Sequence, residues 1–529
     1  CALCHLKAHQ IPPLMENILM MLGPKGLIKK HEFVRLIIQS LSSFGYRKSA
    51  SCLELESGIS YKSAEFKMLE SQFLNANWDD CIRTLNGIEH LMDDTRTSAF
   101  FVVSKQYMLK CLNSGDVSMA LKVLQKWVSS MQVDREMIYK LAFCIVFSKD
   151  TGIGKIDGSD IIEQRKRMLE ELERLLPPPV TLPEGRLEHL VEVAVSAQID
   201  SCAYHNSDDA VSLYEDHCCG QDQIPTETVQ ILKNHRNEVW FVKFSNNGDY
   251  LASSSRDCTA IIWKVLEDGS LTLRHTLQSH ENPVSLVAWS PNDRLLLTCG
   301  NVEVLKLWDV ETGTCQRTFG DHGFIISCCA WFPDSNRFVC GSPDPGKGIR
   351  MWDCLGNEVR AWQGVRMPKV LDLAVTPDGE HLITVFADKD ILVLNVHTNG
   401  ERVISEDHPV TSISVSGDGK FLVNLNGLGI HLWDVVGEWK EPAKYLGHEQ
   451  RQYVIRSCFG GINDAFLASG SEDSMVYIWN RRGSYPIEVL SGHLMSVNCV
   501  SWNPKRPRML ASASDDHTIR IWGPTNSDK

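Results

Sequence analysis

His235 is followed by Asp257 and Trp263, and the same order returns as His448, Asp473 and Trp479 and again as His493, Asp516 and Trp522. A histidine within reach of a carboxylate is the working pair of general acid-base catalysis. Repetition argues against that use, because an active site needs one such pair whereas a scaffold built of copies needs one in each copy. Two other strings offer chemistry. Gly341-Ser342-Pro343-Asp344-Pro345-Gly346-Lys347-Gly348 approaches a phosphate-binding loop, yet Gly348 stands where Ser or Thr would hold magnesium. It also leads into the strand ending Ile349-Arg350-Met351-Trp352 and not into a helix whose amides could meet phosphate. Cys1-Ala2-Leu3-Cys4-His5 matches a haem-attachment string and, with His9, a partial zinc set. No second ligand pair accompanies it, so it reads as a leader or fragment edge, with Met15 as a candidate start. No GxSxG, HExxH or paired CxxC knuckle occurs. The expectation is a chain with no catalytic residue, no cofactor and no metal.

The elements that position the His, Asp and Trp set are short strands. Matching strand endings close on Trp263, Trp308, Trp352, Leu394, Trp433, Trp479 and Trp522, at intervals of 45, 44, 42, 39, 46 and 43 residues. That period is the length of a four-stranded unit, and one such unit cannot bury its own faces, so seven must close into a β-propeller. The last unit stops after its third strand, at Gly523-Pro524. Thr228-Val229-Gln230-Ile231-Leu232 alternates like a strand and belongs to no complete unit, so residues 226–233 are expected to supply the missing edge.

Upstream, the apolar period changes from two to about 3.6. Phe33, Val34, Ile37, Ile38 and Leu41 mark a helix that stops before Gly45, and a second runs over Ala50 and Leu53 to Gly58. This pair carries more apolar surface than it can bury alone, which predicts pairing with another copy through Phe33, Ile37 and Leu41; packing within the chain is the alternative. Asn77 is placed to cap a helix opening with Trp78-Asp79-Asp80. Further helices are expected over Ala99–Leu112, Asp116–Trp127, Leu141–Phe147 and Ile161–Leu176. Helical spacing resumes from Leu187 to Ala194 and again at Val211, Leu213 and Tyr214, with a flexible loop around Gly152, Gly154 and Gly158.

The repeats resemble WD40 units, in which a His, a strand Ser, the Asp and the Trp indole form a relay that fixes each blade. The segment from Phe33 to Gly58 resembles a LisH dimerisation motif, the one around Glu65-Phe66 and Asn77-Trp78-Asp79-Asp80 a CTLH motif, and the following helices a CRA extension. The resulting fold class is a multidomain α+β chain. Residues 1–28 are a leader or unstructured, 29–60 LisH, 61–120 CTLH, 121–222 CRA-like with a flexible loop near 150–160, and 226–524 the propeller. This order, with Asn237-Glu238-Val239-Trp240-Phe241, Glu406-Asp407-His408-Pro409, Ser457-Cys458-Phe459-Gly460-Gly461 and Val497-Asn498-Cys499-Val500-Ser501-Trp502-Asn503-Pro504, resembles the WD repeat-containing protein 26 family. The resemblance implies a non-catalytic subunit of the CTLH (GID) E3 ubiquitin ligase. Its partners would be the other subunits, RING-bearing ones included, and substrates or adaptors on the propeller. A cullin-4 substrate receptor and a LisH/WD40 transcriptional corepressor are the alternatives. Trp479-Asn480-Arg481-Arg482 matches the receptors' Trp-Asp-x-Arg ending only in part, and corepressors of this kind carry two propellers.

Repeat register places Trp240, Ser285, Ser327, Arg456 and Asn498 near the start of inner strands, and Arg256, Glu472 and Asp515 just before the turn Asp. Loops on that rim are free to vary, and an aromatic beside an arginine has hot-spot composition, although Trp240 could equally pack between blades. Composition limits the partners. A net charge of −13 over 529 residues gives no footprint for nucleic acid, and no apolar run is long enough to span a membrane. The 18 cysteines lie scattered among apolar neighbours, as in Cys328-Cys329, which fits a reducing compartment, cytoplasmic or nuclear.

Overall fold

A computed structural model of the chain describes residues 21–88, 91–130, 158–178, 180–300, 302–320, 323–363, 368–387, 389–427, 429–437 and 439–525. They fall into two compact units, residues 1–196 and 197–529. Cys1, Cys4, His5, His9 and Met15, the Leu141–Phe147 helix and the loop at Gly152 and Gly154 lie outside the described residues.

The first unit is helical: α1 (Lys30–Ser43), α2 (Arg47–Ser57), α3 (Ala64–Leu74), α4 (Trp78–Gly87), α5 (Asp93–Asn113), α6 (Val117–Ser130), α7 (Gly158–Leu175) and the greater part of α8 (Arg186–Ser201), whose residues from Ala197 onward belong to the second unit. Its core joins Phe66, Leu69 and Phe73 of α3 to Trp78, Cys81 and Leu85 of α4, Phe100 and Val103 of α5 and Leu172 of α7. Phe73 meets the Trp78 ring edge-on at 5.2 Å, a geometry that favours aromatic pairs. Burial pushes the Cys81 thiol up to about 12, as expected of a core residue with no redox work. Gly58 ends α2 in the left-handed conformation, with its N–H donating to Glu54 O at 3.0 Å.

Four local expectations need correction. Residues 21–28 are not a bare leader, because Met21–Leu22 pairs antiparallel with Ile28–Lys29. Gly158 opens α7 and belongs to no loop. Asn77 stands at the N-cap of α4 but its side chain makes no capping bond; it is Ser63 that caps α3, accepting from Phe66 N at 3.1 Å. Val211, Leu213 and Tyr214 are not helical: Leu213 and Tyr214 are exposed, and four residues of helical spacing cannot nucleate a helix with no surface to bury against.

The second unit contains seven four-stranded antiparallel sheets. Blade 1 runs Val239–Phe244, Tyr250–Ser255, Thr259–Val265 and Leu271–Gln278 from the inside outward, and blades 2 to 6 open with Leu286–Trp289, Cys328–Trp331, Val370–Val375, Val410–Val415 and Ser457–Gly460. Blade 7 takes Val497–Trp502, Leu510–Ser514 and Ile519–Gly523 from the chain's end and its outer strand, Glu227–Leu232, from ahead of blade 1, with Thr228 opposite Trp522 and Leu232 opposite Ile519. Blade 4 forms although Leu394 replaces the closing Trp, since Leu382, Leu392 and Leu394 fill the same space against blade 3. Gly348 turns at φ +67, where an added Cβ would strike the Trp362 carbonyl, and strand Ile349–Asp353 follows it. The glycine-rich string is therefore a blade turn.

Candidate functional site: the propeller rim

In blade 1, His235 Nδ1 lies 3.0 Å from Asp257 Oδ2 and Nε2 lies 2.9 Å from Ser253 Oγ, which also accepts from Trp263 Nε1 at 3.1 Å. Blade 7 repeats this through His493, Asp516, Ser512 and Trp522, at 2.9, 2.7 and 2.8 Å. The acid is held on every side. Burial works to raise the Asp257 carboxyl, but bonds from His235, Thr259 and the Arg236 amide outweigh it and hold the group well below the usual carboxylate range. A carboxylate bound so firmly is a strut, with no proton to exchange near neutrality.

Blade 6 departs from the expected relay. His448, Asp473 and Trp479 are present but not joined: Asp473 Oδ2 accepts from Tyr477 Oη at 2.7 Å, and Trp479 Nε1 donates to Leu446 O at 3.0 Å. Among the described residues, neither His448 ring nitrogen has a hydrogen-bond partner. The ring packs edge-on against Trp479 at 5.8 Å, and burial pushes its pKa down to about 4. The cause is Tyr477, a phenol at the position that Ile261 holds in blade 1, which reaches the acid first. Blade 5 inverts the relay, with Glu406 at 3.0 Å from His431 Nδ1 and 2.7 Å from Trp433 Nε1.

The rim residues divide by what already occupies them. Ser327 Oγ donates to Gly341 O and Val370 O at 3.2 and 2.8 Å, and Ser285 Oγ to Cys299 O at 3.3 Å. Asn498 is buried, tying Val239 O to Asp515 Oδ1 at 3.1 and 2.7 Å. Glu472 Oε1 accepts the backbone N–H groups of Arg451, Gln452 and Tyr453 at 2.7, 2.7 and 2.9 Å. Burial opposes its ionisation, but these amides win and lower its pKa. Arg456 spends its guanidinium on Asp372 at 2.6 Å. Each of these five side chains is thus engaged within the propeller, which sets them apart from the more open residues of the rim.

Trp240 and Arg256 remain. Glu238 joins them, accepting from Trp240 Nε1 at 3.0 Å and pairing with Arg256 Nη1 at 2.7 Å, while the Arg256 side chain stays 53% exposed. Asp515 is half-buried beside them, its carboxyl raised by burial and by the neighbouring Glu238 and Asp516. The loops leading into blades 6 and 7 add four apolar side chains absent from the sequence reading, Tyr453 and Val454 at 52% exposure and Leu494 and Met495 at 85% and 53%. Their only sequence signal is apolar type where no strand period runs. Aromatic and aliphatic groups around a held arginine make a surface suited to protein contact.

In the helical unit, Phe33, Ile37 and Leu41 share one face of α1 and are half-buried. Arg35 and Gln39 on the other side reach the backbone carbonyls of Tyr61, Val180, Leu182 and Pro183.

Comparison with known proteins matches residues 19–63 to the WDR26 Lis-homology domain and five stretches, 226–264, 271–309, 313–353, 439–480 and 484–523, to the WD domain, G-beta repeat. The WD repeat-containing protein 26 homolog of Drosophila melanogaster is 35% identical over 93% of the chain and 80% of its own length. The chain belongs to the WD repeat-containing protein 26 family. Within the family it is 62% identical to the WD repeat-containing protein WDS homolog of Arabidopsis thaliana, over 97% of this chain and 99% of that one. GID complex subunit 7 of Schizosaccharomyces pombe is 34% identical over 93% and 96%. Blade 4 and the first three strands of blade 5 lie outside the five matched stretches, yet both blades are complete four-stranded sheets. No described helix is long and apolar enough to cross a membrane.

Proposed function

We propose that the chain is a non-catalytic scaffold of a GID-type complex, in which the helical unit joins further subunits and further copies and the propeller rim recruits proteins for ubiquitination by a RING-bearing partner. The observation that carries this reading is the similarity to GID complex subunit 7 over 96% of that protein's length, helices and propeller together. The filled bonding of His235 with Asp257 and of His493 with Asp516 supports the absence of catalysis at those pairs, since a general base must have a lone pair to spare. A cytoplasmic or nuclear setting belongs to the same proposal. The cullin-4 alternative is disfavoured by Arg481, whose guanidinium is committed to Asp418 at 2.9 and 3.0 Å, and by Arg482, paired with Asp200. Affinity capture of the tagged chain followed by mass spectrometry tests the proposal. RING-bearing GID-type subunits support it, whereas a cullin-4 adaptor or corepressor partners without them would refute it.

A further inference from the structure

Helix α8 ends at Ser201, and Cys202 follows with its side chain 9% exposed. His205 comes three residues later. The chain then runs outward through exposed residues and returns with His217 and Cys219. The return is anchored at both levels: Gln198 of α8 accepts from His217 N at 3.1 Å and donates to Asp216 Oδ1 at 3.0 Å.

The donor atoms of Cys202, His217 and Cys219 gather there, and His205 stands against the last two of them. His205 Nδ1 lies 2.8 Å from His217 Nε2, and Cys219 Sγ lies 3.2 Å from His217 Nε2 and 3.7 Å from His205 Nδ1. The donor atoms of Cys202, His217 and Cys219 all lie within 4.8 Å of one another. In a tetrahedral zinc site the bond lengths set ligand edges of roughly 3.3 Å between two nitrogens and 3.6 Å between nitrogen and sulfur. The observed separations from His205, His217 and Cys219 are within about half an ångström of those edges. We propose that Cys202, His205, His217 and Cys219 form a structural zinc site, closed by two thiolates and two imidazoles.

The donor set itself selects the ion. Two sulfurs and two nitrogens suit zinc and exclude magnesium or calcium, which take oxygen, and four protein ligands leave no position for substrate water. The Cys219 N–H donates to Cys202 Sγ at 3.2 Å, the kind of outer contact that steadies a thiolate on a metal.

The site's position gives it work to do. Asn206, next to His205 and 1% exposed, donates to Gln223 O and Pro507 O at 2.8 Å each and accepts from Ile462 N at 2.9 Å. Tyr204 Oη donates to Glu488 Oε1 at 3.0 Å. Ile224 is fully buried in the core shared by blades 6 and 7, and the closing strand begins at Glu227. A metal here would fasten the segment that delivers the closing strand, removing freedom from a loop that has no helix or strand between Cys202 and Cys219.

The test uses the full chain, purified without a metal column. Plasma mass spectrometry should find one zinc per chain, and the double variant Cys202→Ser, Cys219→Ser should retain none. Exchange with cobalt should give a thiolate charge-transfer band in the wild type, and chelation should raise alkylation of Cys202 and Cys219 by about tenfold or more. The cobalt and alkylation measurements need no variant, so they stand even where the double variant misfolds. Zinc-free wild type that fails to bind cobalt, equal zinc in the variant, or a Cys202–Cys219 disulfide in place of two thiols would each overturn the proposal.

Discussion

Arg456 reaches past the inner strand of blade 5 to Asp372 of blade 4, Nη1 to Oδ2 at 2.6 Å, with side-chain exposures of 18% and 4%. The same carboxylate oxygen accepts from Ile413 N of blade 5 at 3.1 Å, and the guanidinium lies 5.1 Å from the Phe241 ring of blade 1. Burial alone would lower the Arg456 pKa, but Asp372 more than compensates and raises it. One side chain thus fixes the spacing of non-adjacent blades around the channel.

Arg456→Ala should therefore destabilise the propeller by about 3 kcal/mol, because breaking a buried pair strands the remaining charge. Asp372→Asn with Arg456→Met should recover most of that loss. Thermal melts of the three chains decide the matter, and an unchanged midpoint in Arg456→Ala would show that the pair is dispensable.

Blade 6 makes a pH prediction. The His448 pKa is pushed down by burial to about 4 in the fold, against about 6.5 in an unfolded chain. The unfolded state then binds the extra proton first, so this group's stability contribution is complete above about pH 6.5 and falls away as pH drops toward 4. His280, 2.7 Å from Thr298 Oγ1 and also pushed down to about 4 by burial and the nearby Lys306, adds to the same window. His448→Gln should narrow the difference in melting temperature between pH 7 and pH 5 by a few degrees. A difference as wide as in the wild type would mean that His448 does not titrate with folding.

How much of this was legible follows from where the physics is local. The seven repeats and the edge supplied by Thr228–Leu232 stand out because strand period and blade length are written in consecutive residues. The His448 arrangement did not, since the deciding residue is Tyr477, which carries no relay signature. Arg456 was visible as a rim arginine but not as a tie, because Asp372 lies two blades away. The Cys202 and His205 pair is separated from His217 and Cys219 by a stretch with no period, and only folding brings the donors together.

Glu472 acts within the rim as a clamp on its own loop. Three amides converge on one oxygen, so Glu472→Lys should free the loop from Arg451 to Tyr453, costing about 1–3 kcal/mol locally. Hydrogen exchange at those amides should speed up at least tenfold while the blade strands stay protected. Unaltered exchange would remove the clamp assignment.

Self-association can be separated from propeller folding. Asp at both Ile37 and Leu41 would place carboxylates on the half-buried face of α1, which opposes pairing with another copy. Light scattering should give a smaller particle with an unchanged propeller melt. An unchanged mass would assign Phe33, Ile37 and Leu41 to packing within the chain.

The rim prediction rests on Glu238 as the joint between Trp240 and Arg256. Trp240→Ala removes the aromatic anchor and Arg256→Ala the exposed charge, and neither touches His235, Asp257 or Ser253. Each should weaken a propeller-bound partner by roughly tenfold or more, the loss typical of a hot-spot side chain. Glu238→Gln keeps the shape but releases the arginine, so it should cost less than either and make binding less sensitive to Arg256→Ala in the double variant. Leu494→Ser, on the loop before blade 7, should act independently of all three. Titration of captured partners against these chains, with the other subunits still co-purifying, is the measurement. Full affinity in both Trp240→Ala and Arg256→Ala would move the binding surface away from blade 1, and loss of the whole assembly would make these residues part of its construction.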